Sequence, residues 1–177
     1  PDELGSATAV AGAVLILAGL GGPDAVRQLL KALPARLPVP VLLYQHLEVG
    51  NHDRLVSQLA KVSAWPVYLA SPGMRAQLGQ VAVLPHGVGA KLEGTTMVFV
   101  PMANQRAIVE NLPAGESLVF MLSGADPDAV PAVLDMTVKG GVAMAQDPST
   151  CFDPSAAQAL ASGGARAGDA GALARCL

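Results

Sequence analysis

A chain of 177 residues with 51% hydrophobic and 14% charged side chains is long enough to bury a real core and too apolar to remain disordered. Its net charge of −3 leaves no basic footprint for nucleic acid. The two cysteines, Cys151 and Cys176, lie outside any CxxC or Cys/His cluster, which argues against a disulfide framework or a zinc site and for reduced thiols in a cytoplasmic protein.

The first apolar run, Ala9 to Leu20, is about 12 residues, short of the roughly 20 needed to cross a bilayer. Asp2 and Glu3 precede it in place of the basic flank of a signal peptide, so no membrane insertion is expected. The start at Pro1, without methionine, points to a piece of something longer. Within the run, Val14 to Leu17 reads as a strand covered on both faces. A glycine-rich turn, Ala18 to Gly22, leads into a helix opened by Pro23 and Asp24, with Val26, Leu29, Leu30 and Leu33 on one face. Val41 to Tyr44 is a second buried strand, ending in Gln45-His46. A helix is predicted over Asp53 to Val62, capped by Asn51, with Leu55, Val56, Leu59 and Val62 inward.

Val67 to Leu69, Val81 to Leu84 and Met97 to Val100 read as strands joined by Gly- and Pro-rich hairpins or loops, and Pro101 to Asn111 as a helix. Leu118 to Leu122 is another fully apolar strand, followed by the polar turn Ser123 to Asp128. A helix over Ala129 to Lys139 stops at Gly140-Gly141. Val142 to Ala145 is a strand and Pro154 to Ser162 a helix. From Ala165 on, the tail is small and polar except for Leu173 and Leu177, and is expected to be loosely attached. The alternation predicts one domain spanning 1–177. Its core is expected at about 13–162, with residues 1–12 and 165–177 peripheral. The architecture is three-layer α/β/α: a doubly wound, mostly parallel sheet with an antiparallel hairpin excursion.

In such sheets chemistry gathers at the carboxyl ends of the strands. Three predicted loops there carry reactive side chains: Ala18 to Gly22, Gln45-His46, and Ser123 to Asp128. A histidine and an aspartate on separate strand ends invite comparison with a Ser/His/Asp triad, in which histidine takes the serine proton and aspartate fixes the imidazole tautomer. His46 supplies a base and Asp128 a carboxylate, but a nucleophile is missing.

Five segments, in order, resemble the protein-glutamate methylesterases of the CheB family. Ile16-Leu17-Ala18-Gly19-Leu20-Gly21-Gly22-Pro23-Asp24-Ala25 is similar to the family's I-G-A-S-T-G-G-P-E-A. Val41 to His46 resembles its strand ending in Q-H. Leu78 to Gly87 is similar to P-G-x-V-Y-I-A-P-G-G, Leu122 to Asp128 to L-T-G-M-G-x-D, and Gly140 to Cys151 to G-G-x-x-x-A-Q-D-x-x-S-C. The resemblance spans roughly Val14 to Leu160.

It implies an enzyme fold that hydrolyses glutamyl methyl esters on chemoreceptors, with His46 and Asp128 as the triad base and carboxylate. It also implies what has been lost. Gly19 stands at the serine position and Leu20 at the following threonine. Ala125 and Asp126 replace the methionine and glycine of the oxyanion loop, and Phe152-Asp153-Pro154 shortens the stretch after Cys151. Removing a triad nucleophile costs on the order of 10⁶ in kcat, about 8 kcal/mol of barrier. The expected function is therefore a catalytically degenerate homologue acting as a non-catalytic binding module. Its setting would be a bacterial chemosensory system, flagellar or pilus-type. Its partners would be chemoreceptors or other chemosensory proteins, and a longer chain could carry the receiver domain usual in the family. No cofactor or metal is implied.

Three alternatives compete. An active methylesterase or other esterase could use an unrecognised nucleophile, Ser123 being the hydroxyl in the aspartate loop. The Gly19 to Gly22 turn could cradle a phosphate, but Asp24 at the helix entrance would repel it, as would Glu48 and Asp126 nearby. The cleft could also serve a small-molecule or nucleotide sensor. His52 and His86 are expected on solvated loops without a role.

Overall fold

Strand β1, Val14–Ala18, is buried at all five residues, as is β2, Val41–Gln45. Such runs belong inside a parallel sheet covered on both faces. The computed structural model describes residues 12–47 and 51–177, so Glu48 lies outside the described residues. In chain order β1 is followed by α1 (Pro23–Lys31), β2, α2 (His52–Ala60), β3 (Val67–Leu69), β4 (Val81–Val83), β5 (Val88–Glu93) and β6 (Thr96–Pro101). Then come α3 (Gln105–Glu110), β7 (Leu118–Met121), α4 (Val130–Val138), β8 (Val142–Gln146), α5 (Ser155–Ser162), β9 (Arg166–Gly168) and α6 (Ala170–Ala174).

Seven strands form one sheet in the order β3-β4-β2-β1-β7-β8-β9, with every pairing parallel. Alternate residues of β1 divide the core. Leu15 and Leu17 pack with Phe99, Ile108, Val133 and Leu160 on one side, beneath α3, α4, α5 and the β5–β6 ribbon. Val14, Ile16 and Ala18 pack with Leu29, Leu30, Leu55, Leu59 and Leu173 on the other, beneath α1, α2 and α6. The doubly wound α/β/α prediction is borne out. The antiparallel excursion is a separate two-stranded sheet, β5 with β6, while β4, read as part of a hairpin, lies parallel to β2 and β3 in the main sheet.

Two expectations need correction. The stretch from Ala165 is not loosely attached. Its β9 pairs with β8, and Ala170, Leu173 and Ala174 of α6 are buried in the face that also holds α1. Small residues hid this, because alanine and glycine give almost no periodic contrast while allowing helices to pack closely. Helix α2 also ends earlier than predicted, at Ala60, so Val62 is exposed instead of inward.

Candidate functional site

β1 is the centre of the sheet. β2 flanks it on one side and β7 on the other, so the loops bearing His46 and Asp128 stand on either side of Gly19. Backbone hydrogen bonds fix the arrangement. The His46 N–H donates to the Ala18 carbonyl (2.9 Å), and the Gly19 N–H donates to the Ser123 carbonyl (3.0 Å).

The loop after β7 is tightly held. Ser123 is fully buried. Its N–H donates to Gln146 Oε1 (2.9 Å), and its Oγ donates to the Leu20 carbonyl (2.8 Å) while accepting from the Asp153 N–H (3.0 Å). A hydroxyl whose proton is already given to a carbonyl has no base to activate it. Ser123 is thus a fastener between three loops. Gly124 follows with φ +78°, a left-handed conformation that favours glycine, and its N–H donates to the Asp153 carbonyl (3.0 Å).

Asp126 caps the 3₁₀ turn Pro127–Ala129, accepting from the Asp128 N–H at 2.9 Å. Asp128 itself is exposed, as is His46, and among the described residues no hydrogen bond joins the two side chains. Ala125 is buried and Leu20 is 67% exposed. Topology brings the loops of His46, Asp128, Leu20, Ala125 and Asp126 to one edge of the sheet around Gly19.

Gly19 is not in the positive-φ region. Glycine is needed there for a different reason than the conformational freedom of a tight turn. A Cβ built at this position would overlap the Gly124 carbonyl, whose oxygen lies far inside contact distance and whose carbon is 2.9 Å away.

Three buried glutamines, to which sequence reasoning gave no role, hold these loops. Gln45 Nε2 donates to the Gly19 carbonyl (2.9 Å), Gln105 Oε1 accepts from the Asp126 N–H (2.9 Å), and Gln146 links Ser123 to Thr150. Gln45 Oε1 has no hydrogen-bond partner among the described residues. The sequence signal for Gln45 and Gln146 was a polar residue closing an otherwise apolar strand; Gln105 gave none.

His52, expected on a solvated loop, is buried at the start of α2, whereas His86 is exposed as expected. Burial pushes the His52 imidazole below the ordinary value of 6.5, and the nearby charges of His86 and His46 push the same way, against the Gln45 backbone and Asp53. Burial, with Asp147 and Asp153 nearby, pushes the Cys151 thiol up, away from thiolate chemistry. Burial and the Asp126 charge likewise raise Tyr44. Among the described residues, no group of three or more His, Cys, Asp or Glu is placed to hold a metal ion, and no helix is long and apolar enough to cross a membrane.

A family model described as CheB methylesterase matches residues 14–174. The chain belongs to the CheB methylesterase family. A protein-glutamate methylesterase/protein-glutamine glutaminase of Symbiobacterium thermophilum is 33% identical over 149 residues, 78% of this chain and 41% of that CheB relative. Another, from Hahella chejuensis, is 28% identical over 151 residues, 78% of this chain and 43% of the relative. The chain therefore spans less than half the length of these curated CheB relatives. The crystal structure of the Thermotoga maritima CheB methylesterase catalytic domain matches with a TM-score of 0.82 at 19% identity, covering 94% of this chain and 96% of that one, which establishes the shared fold.

Proposed function

We propose that this CheB-type domain is catalytically silent and works as a binding module in a bacterial chemosensory or related signalling pathway, in the cytoplasm. The observation that carries the reading is Gly19 at the tip of the central strand, where the family resemblance calls for the attacking serine. The hydroxyl of the neighbouring loop, Ser123 Oγ, is committed to the Leu20 carbonyl and the Asp153 N–H. On this reading His46 and Asp128 are a base and a carboxylate left without a nucleophile to serve. Without that nucleophile the barrier rises by about 8 kcal/mol, more than binding and oxyanion contacts offset. What the fold retains is a folded surface, and its partners are chemoreceptors or other components of the same pathway.

Two measurements test this. Incubation with methylated chemoreceptor fragments should release no methanol above background, and the domain should co-purify with a receptor or another chemosensory protein. Sustained methanol release that disappears in His46→Ala would overturn silence. Failure to associate with any chemosensory component would overturn the binding role.

A further inference from the structure

In a doubly wound sheet the natural crevice opens where the chain reverses direction across the sheet, because the loops leaving the two strands run to opposite faces. Here that point lies between β1 and β7. The loop after β1 leads to α1 on one face, and the loop after β7 leads to α4 on the other. Yet the two loops meet backbone to backbone. The Gly19 N–H donates to the Ser123 carbonyl, and the space of a Gly19 side chain is occupied by the Gly124 carbonyl.

The contact is glycine on glycine, and each side locks the other. A Cβ at Gly124 would overlap the Leu20 nitrogen and the Gly19 carbonyl carbon, and its φ of +78° disfavours any side chain in any case. A Cβ at Gly22 would lie 2.9 Å from the Ser123 carbonyl oxygen. The obstructing atoms are backbone, pinned by the four hydrogen bonds of Ser123 and by the bond from Gly124 N–H to Asp153. They cannot swing aside as the end of a flexible side chain could.

We infer that the loop after β7 has closed onto Gly19, sealing the crevice with backbone, so that restoring a serine at position 19 cannot restore a working nucleophile. This rests on reading the chain as a silent family member, but its primary readout is stability, so the two can fail separately. Overpacked positions in well-packed structure destabilise proteins appreciably. In urea titrations of the 177-residue chain, Gly19→Ala and Gly19→Ser should each lower the folding equilibrium constant by about 10-fold or more. Gly115→Ala is the control, because its Cβ would meet only the Lys139 carbonyl at 3.7 Å, and it should shift the constant by no more than about 3-fold.

Gly19→Ser should also stay unlabelled by a fluorophosphonate serine probe. In the unmodified chain, the amides of Gly19 and Gly124 should exchange with solvent as slowly as those of β7. Sealing is overturned if Gly19→Ala is as stable as Gly115→Ala, or if Gly19→Ser takes up the probe. Should both position-19 variants fail to fold, the exchange measurement decides, and exchange as fast as that of open loops overturns it. Methanol release by the unmodified chain would instead refute catalytic silence and leave the seal standing.

Discussion

The loops on the two sides of Gly19 are held in opposite ways. After β7, Ser123 is buried and every polar atom it offers is bonded: N–H to Gln146, carbonyl to Gly19, hydroxyl to Leu20 and Asp153. After β2, His46 stands exposed at the strand tip, with its backbone N–H on Ala18 and the His52 imidazole nearby. The difference teaches that this edge is unevenly packed. On the β7 side, the space of a Gly19 side chain is filled by the neighbouring main chain, and the loop belongs to the packed interior. On the β2 side, the His46 side chain projects into solvent.

This contrast can be broken by substitution, and the effects should descend in order. Gln146→Leu removes the side-chain acceptor of the buried Ser123 N–H, and an orphaned buried donor should cost about 2–3 kcal/mol in urea unfolding. A loss no larger than that of a surface change would mean the loop is not fastened as described. Ser123→Ala deletes one donated and one accepted bond and should cost about 1–2 kcal/mol, with faster amide exchange at Asp153.

Across β1 the response should depend on pH. Because His52 titrates lower folded than unfolded, the unfolded chain binds more protons between the two values, so stability rises with pH through that window. Stability should therefore be complete above the ordinary value of 6.5 and decline as pH falls toward the depressed folded value. His52→Gln should flatten that dependence, and an unchanged slope would remove His52 as its source. The smallest effect belongs to His46→Ala, which should alter stability by no more than about 0.5 kcal/mol, as for an exposed side chain. A larger loss would show that the His46 side is also built into the fold.

Most of the architecture was legible in the sequence because fully apolar runs such as Val14 to Leu17 and Leu118 to Leu122 have few other uses than buried parallel strands. The periodic face of Val26, Leu29, Leu30 and Leu33 likewise permits little but an amphipathic helix. β9 and α6 escaped because Ala170, Gly171 and Ala174 bury small surfaces and show no contrast between faces. At the site, the residue types were readable: a histidine at one strand end, an aspartate at another, glycine between them. Their surroundings were not. That Gly124 occupies the space beside Gly19, or that Gln105 reaches Asp126 across 21 positions, is a matter of tertiary distance, and no local pattern encodes it.

The glutamines that brace these loops have one more implication. An amide neither gains nor loses a proton across the acidities a cell experiences, so Gln45, Gln105 and Gln146 grip their targets with equal strength in mild acid and mild base. Protonation of His52 can thus loosen the start of α2 while the contacts these amides make stay indifferent. The sheet's carboxyl rim is therefore braced by amide contacts deaf to acidity, beside one helix start that responds to it.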